Sequence, residues 1–482
     1  MEKQKFTDIF YFFRDLYTVV YISFFAILFF IPVQNLLGNI TTYLYLAIAG
    51  AGAALLVVSV FVSPKSFFSP QNILLTAFAI AALLSTAVNY RYQPISNIKE
   101  ICWMCIMFFL LHTVDASRPK EKLLYLFRLV TDIFVFLWFV GVFVSFCQFV
   151  SGYGEWISTP YNENELHRVG FIEGRLFGVF GDPNYAAIGS FFAIVLSMFH
   201  IIGKNMGKGA RAFLIISMVF EYFYIILSGS RAAMISVAVA VFFVVFFLVL
   251  KAAFTQKIHP ALRCICAVLS AGVSAVLIVI ISDLIKEGLA YLPELYSSVG
   301  NAFGINVKQN TVVDIRRPDI DDGNDYSNNR FRIWADSIAV WKTTPIVGAT
   351  PRGYLDYTFE HLGNIYIVQK GYVIHNAYIS VILFTGIIGS LIVVAWIART
   401  AYMILKFLFI RKISDCPSYK RVLFLSAAIV AEAVSSMALS QMFFSHMVTD
   451  AIFWLIVGYT FYYIDLENNK AKKPEKIAGK AE

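Results

Sequence analysis

Apolar stretches of about 20 residues, each closed by a short polar break, recur along the whole 482-residue chain. An α-helix rises about 1.5 Å per residue, so such a stretch matches the roughly 30 Å hydrocarbon core of a bilayer. The pattern predicts about twelve spans, near residues 16–36, 42–62, 71–88, 98–114, 129–150, 185–203, 212–228, 232–250, 264–283, 374–398, 422–443 and 449–464. The first, Leu16 to Leu36, is too long for a signal-peptide core and has no small-residue cleavage site after it, so it is expected to stay as an anchor. Two links are too long to be simple turns, 151–184 and 284–373. The second carries Phe331, Trp334, Trp341 and Tyr354, with apolar residues spaced from Ile333 to Val340 as on an amphipathic helix. It is expected to fold as a subdomain outside the membrane. The organisation expected is helices 1–9 over residues 1–283, the loop subdomain over 284–373, helices 10–12 over 374–464 and a basic cytoplasmic tail over 465–482. The fold class is an all-α polytopic membrane protein. No internal repeat is visible, against the duplicated architecture common among transporters.

Composition agrees: 59% of residues are hydrophobic and 15% charged, which excludes an ordinary soluble domain. A net charge of +8 would raise nucleic acid as a partner in a soluble protein, but its placement answers otherwise. Lys3, Lys5 and Arg14 precede the first span, and Arg118, Lys120 and Lys122 share one short link. Lys204, Lys208 and Arg211 follow in another, then Lys251, Lys257 and Arg263, then Arg411, Lys412, Lys420 and Arg421, then the lysine-rich tail. If the spans alternate, every cluster falls on one side; the positive-inside bias makes that side, and both termini, cytoplasmic. A bilayer is therefore the expected partner, not nucleic acid. The six cysteines lie in or near apolar segments, and neither Cys102/Cys105 nor Cys264/Cys266 has the second half of a zinc site, so buried structural thiols are expected.

Charge at membrane depth is costly, about 2.5–3.5 kcal/mol at a helix centre on insertion scales, so Glu221 and Glu432 in mid-span stand out. Each equally suits a protonated or hydrogen-bonded structural role. On the opposite side from the basic clusters, arginines recur where short loops should avoid them: Arg175 before the sixth span, Arg231 at the mouth of the eighth, Arg330 and Arg332 in the large loop, and Arg352 beyond them. A guanidinium is permanently charged and binds phosphate oxygens bidentately, so converging arginines suit a pyrophosphate head group; singly, each suits an interfacial anchor. His375 and Asn376 stand at the start of the tenth span. The positive end of a helix dipole disfavours imidazolium and leaves a neutral ring able to accept a proton, although a histidine there can also serve as a cap. The run from Asp319 to Asp325 has the flavour of a calcium loop, but its glycine is misplaced and the closing glutamate is missing, so a solvated acidic turn is expected. The run Gly203 to Gly209 lacks phosphate-loop spacing and reads as a basic turn.

Taken in order, several pieces resemble the O-antigen ligase and Wzy-type polymerase superfamily of bacterial glycan assembly. They are Arg175 with Gly181, Asp182, Pro183 and Asn184; Ser230 and Arg231 opening a span; Arg330 to Trp334 followed by Pro345 to Gly348; and His375, Asn376 and Tyr378 leading to Gly386 and Gly389. One departure is the run Ala349 to Gly353, where the family often has a glycine-rich turn.

The resemblance implies a GT-C-like, metal-independent and cofactor-free inverting glycosyltransferase in the bacterial cytoplasmic membrane, working on the outer face. It would take glycan from an undecaprenyl-pyrophosphate carrier, with a glycan or lipid acceptor, and with a chain-length regulator and a flippase as further partners. It implies catalytic roles for His375, Arg231 and Arg330, and substrate contacts for Arg175, Arg332, Asn376, Asp182, Asn184 and Tyr378. A polymerase making capsule or exopolysaccharide is the favoured reading. A ligase moving finished glycan to lipid or protein is its nearest rival, and a flippase of lipid-linked oligosaccharide the alternative from another class.

Overall fold

The computed structural model describes residues 2–159, 162–203, 206–252, 257–304, 312–316, 327–413 and 416–478. The acidic turn at 319–325 and residues 204–205 of the basic turn lie outside the described residues. The first half of the chain forms α1 (Glu2–Leu28), α2 (Ile31–Leu37), α3 (Ile40–Val62), α4 (Pro64–Phe67), α5 (Ile73–Val88), α6 (Pro94–Cys105) and α7 (Lys120–Val150). The second forms α8 (Pro183–Ile202), α9 (Lys208–Leu227), α10 (Arg231–Lys251), α11 (Pro260–Leu289), α12 (Leu292–Ala302), α13 (Arg330–Thr343), α14 (Tyr354–Leu362), α15 (Tyr366–Lys370), α16 (Ala377–Ile410), α17 (Tyr419–Ser435) and α18 (Val448–Ala478). A helix stands at each predicted span. Among the described residues nine are long and apolar enough to cross a membrane, α6 among them because a π-helical stretch, Ile106–His112, continues it, while α5, α17 and α18 are shorter or more polar. The chain is a polytopic integral membrane protein.

Packing sorts the helices into a centre and a rim. Nearly every residue of α8 and the first half of α18 is buried, whereas α11 exposes Leu269, Val273, Val276 and Ile280. Helices apolar all round suit the centre of a bundle, and apolar residues on the outer surface suit lipid. The basic clusters tie one end together: Arg118 Nη1 donates to Asp15 Oδ1 at 2.8 Å, Lys251 Nζ to Phe409 O at 2.6 Å, and Arg421 Nη2 to Gly203 O at 2.9 Å.

Three features depart from the expected outline. The first apolar stretch is not one helix: α1 stops at Leu28 and α2 restarts at Ile31, because Pro32 has no N–H and its ring cannot continue the first helix. Ile31 N donates instead to Val179 O at 2.8 Å. The 151–184 link carries a small antiparallel sheet, β1 (Gly154–Thr159), β2 (Asn162–Ile172) and β3 (Arg175–Gly178), in that order. Helix α11 also runs on to Leu289 before α12 begins, past the boundary drawn at 283.

The loop subdomain, helices α13 to α15, is locked into the bundle through a break in α16. Gly386 has φ 61° and ψ −160° in the middle of that helix. The backbone it frees pairs with the segment 345–350: Ala349 N donates to Leu383 O at 2.7 Å, and Ile387 N to Pro345 O at 2.8 Å. Ser85 Oγ donates to Phe384 O at 2.7 Å, and Asn89 Nδ2 to Gly348 O at 2.8 Å. Non-helical backbone inside a membrane bundle persists only when its polar groups are satisfied by protein in this way.

Candidate active site

At the end of the bundle opposite the basic clusters, three helices begin with a side-chain cap. Asp182 Oδ1 accepts from Asn184 N at 2.7 Å at the start of α8. Ser230 Oγ accepts from Ala233 N at 3.4 Å at the start of α10. Asn376 Oδ1 accepts from Tyr378 N and Ile379 N, both at 3.0 Å, at the start of α16. Short polar side chains before an apolar run are the standard way to satisfy the first free N–H groups of a helix. The same positions carry the residues singled out for chemistry.

Arg175 is a strut between two of these caps. Its Nε donates to Ser228 O at 2.8 Å and its Nη2 to Asn184 Oδ1 at 2.9 Å, so β3 holds the turn before α10 against the start of α8. The β2–β3 turn, with Glu173 at φ 53° and Gly174 at φ 68°, aims Arg175 inward, and a Cβ on Gly174 would collide with Arg316 O. Asn184 is thus engaged with Arg175, and Asp182 is half-buried beside it. Arg231, the first residue of α10, is exposed at the head of that helix, three residues from Ser228.

His375 precedes the cap of α16, with φ 52°, a conformation that L residues other than glycine seldom adopt. Its Nδ1 is buried and has no hydrogen-bond partner among the described residues. Burial lowers its pKa, the positive charge of Arg330 lowers it further, and Asp182 opposes both. Residues from α8, α13 and the head of α16 therefore lie within electrostatic reach of one another. Beside this corner lies a chamber of about 430 Å³ bordered by Tyr185, Ile374, Ala377 and Ser440.

The other candidates do different work. Arg332 turns to the ring of Tyr366, 4.1 Å from its centroid, and so braces α13 on α15 instead of joining the cluster. Asn376 Nδ2 donates to Met437 O at 2.8 Å and Tyr378 Oη to Ala433 O at 2.5 Å, so both fasten the head of α16 to the end of α17. Arg352 leaves the basic set entirely: its Nε and Nη2 donate to Glu100 Oε2 at 2.9 and 2.6 Å. Glu432 is buried and accepts from Ser435 Oγ at 3.0 Å and Ser436 Oγ at 3.3 Å, whereas Glu221 is buried against α8 near Ser190. Glu221 packs α9 on α8, whereas Glu432 lies in the last turn of α17 beside Ala433, whose carbonyl Tyr378 engages, and so stands next to the capped head of α16.

Sequence reasoning passed over Glu100, His446 and Asp450. Asp450 accepts from Met442 N at 2.9 Å, Ser445 Oγ at 2.5 Å and Met447 N at 3.2 Å, and so shapes the link between α17 and α18 that carries His446. Acidic residues at the heads of the fourth and twelfth predicted spans were the available signal, but each is read by default as interfacial. Among the described residues no group of three or more His, Cys, Asp or Glu side chains converges as a metal site would require.

No curated protein matches the sequence. Residues 212–394 match the family model described as O-antigen ligase (Wzy_C), a segment that holds Arg231, Arg330 and His375 and ends within α16. The resemblance read from the motifs is thereby carried by that segment: over these residues the integral membrane protein is similar to the O-antigen ligase family, which supports a membrane enzyme of the ligase or polymerase type.

Proposed function

We propose that the protein is a GT-C-like polysaccharide polymerase of the bacterial cytoplasmic membrane, with both termini in the cytoplasm and the capped helix heads on the outer face. It moves glycan from an undecaprenyl-pyrophosphate carrier to the hydroxyl of an acceptor glycan. The observation that carries the reading is the neighbourhood of His375: a half-buried imidazole, shifted towards its neutral form, within electrostatic reach of Arg330 and Asp182, with one ring nitrogen unengaged among the described residues.

In this reading Arg231 and Arg330 hold the pyrophosphate, and Arg175 holds the α8 and α10 heads in place. The acceptor oxygen attacks the anomeric carbon as the bond to the carrier oxygen breaks. The electron pair leaves on pyrophosphate, whose charge the guanidinium groups stabilise, and the acceptor proton passes to His375. Direct attack inverts the anomeric centre. Fixed cations meet the main electrostatic demand of this step, so the reaction is expected to run without a metal ion.

A ligase is the second reading, favoured by the description of the matched family. Reconstitution with a single undecaprenyl-pyrophosphate-linked repeat in EDTA separates the two. A ladder of repeats, absent in Arg231→Ala and His375→Ala, supports the polymerase; one conjugate, formed only with a lipid acceptor, supports the ligase. No transfer in either format sends the assignment to a flippase.

A further inference from the structure

Away from the arginine corner, a groove of about 1130 Å³ runs between α1, α3 and α6. Phe25, Leu28, Leu46, Ala49 and Ala53 make its walls apolar, and Gly50 on α3 leaves open space where a side chain would stand. The groove and the 430 Å³ chamber share Tyr45, Glu100, Arg352 and His446, so these residues form a neck where one passes into the other. The chamber is also bordered by Ile374 and Ala377, which bracket His375 and Asn376.

The neck has an unfilled polar position. Glu100 is 4% exposed; Arg352 engages its Oε2, whereas Oε1 has no hydrogen bond among the described residues. His446 Nδ1 faces that oxygen at 4.0 Å, too far for a hydrogen bond, and is itself buried without a partner among the described residues. The imidazole is held in this position by stacking on Trp103, with centroids 4.9 Å apart and planes 11° from parallel. A hydroxyl between the two can donate to Oε1 and accept from Nδ1–H, with normal distances on both sides. An anion cannot do the same, because Arg352 is already neutralised and the open acceptor is a carboxylate oxygen. Aromatic rings of Tyr45 and Tyr354 lie nearby, suited to the apolar faces of a sugar.

We propose that this neck is a binding site for the sugar hydroxyls of a lipid-linked glycan whose hydrocarbon chain lies in the α1–α3–α6 groove, distinct from the corner of Asp182, Arg330 and His375. Its assignment to the acceptor rests on the glycosyl-transfer reading, since the chamber that the neck adjoins is bordered by the residues on either side of His375 and Asn376. The binding site itself does not depend on that reading.

The test is photocrosslinking of the full-length protein in nanodiscs with an alkyl β-glucoside carrying a diazirine in its chain, read by peptide mass spectrometry. Crosslinks are expected within 41–53 and 93–103. Gly50→Trp fills the groove from a position with no neighbour to strike, and Glu100→Ala removes the hydroxyl acceptor. Each should reduce those crosslinks about tenfold, the scale of a lost hydrogen bond to a charged group, while Gly50→Ala leaves them unchanged. Crosslinks that persist in Gly50→Trp, that are absent from both segments in the native protein, or that form as well with a phosphate head group on the same chain overturn the proposal. Labelling here in a protein without transfer activity upholds the site and rejects the transfer reading; transfer without labelling does the reverse.

Discussion

His375 is a residue whose chemistry is set by what surrounds it more than by its type. Burial and the Arg330 charge lower its pKa, so the neutral base persists below the ordinary histidine value of about 6.5. Transfer activity is therefore expected to be flat near neutral pH and to fall only on the acid side of that value. Arg330→Gln removes a charge that lowers the pKa, so the acid limb of the residual activity should move up. Asp182→Asn keeps an oxygen for the α8 cap but removes the charge that raises the pKa, so the limb should move down. Limbs that move together, or not at all, in a pH–rate profile would separate His375 from proton transfer. His375→Ala itself should lose about 10²–10⁴-fold in rate, the usual scale for a general base, with the protein still inserted by membrane fractionation. Asn376→Ala loses a cap that satisfies two N–H groups and costs about 1–2 kcal/mol in thermal unfolding.

At the scale of elements, the two glycine motifs prove to be one device. Gly348, at φ 76°, sits against Phe384, Thr385 and Gly386, where a Cβ would come within about 2.6 Å of backbone atoms. The Pro345 to Gly348 run and the Gly386 break are two halves of a lock that fastens the loop subdomain to α16. Gly348→Ala and Gly386→Ala each combine an unfavourable φ with a backbone clash, so each is expected to cost about 1–3 kcal/mol or more. Unfolding of purified protein in detergent reads this; a variant as stable as the native protein would show that the lock bears no strain. The Arg175 strut makes a different forecast. Arg175→Lys keeps the charge but cannot span Ser228 O and Asn184 Oδ1 together, so transfer should fall sharply while unfolding changes little.

Over the whole molecule the two ends of the bundle carry opposite tasks. One end gathers lysines and arginines that bond carbonyls and carboxylates where helices meet water. The other gathers three capped helix heads, the small sheet and helices α13 to α15. Single cysteines in a cysteine-free background report their sides: Lys208→Cys is expected to react with a membrane-impermeant maleimide only after permeabilisation, and Phe359→Cys without it. The reverse pattern would invert the protein and move the candidate site to the cytoplasm.

Helix positions were legible because hydropathy depends on local composition, and a bilayer demands a continuous apolar run whatever the tertiary contacts. Arg175, Asp182, Arg231, Arg330, His375 and Asn376 could be singled out as candidates, because helix heads need short polar caps and arginines apart from the basic clusters are conspicuous. Their division of labour was not. That Arg332 braces Tyr366, that Arg352 pairs with Glu100 and that Arg175 serves as a strut depend on partners 9 to 252 residues away along the chain. The sheet at 154–178 was hidden because its pairing is non-local to any helical period, and the neck at Glu100 and His446 because its two halves belong to separate spans. The sequence by itself determined which segments are apolar enough to cross a membrane and which residue types stand at their heads, since these follow from transfer free energy and from capping. Only the tertiary structure decided which of those heads face one another, because a charge or a hydroxyl-binding pair exists chemically only when residues far apart in the chain are packed within a few ångströms.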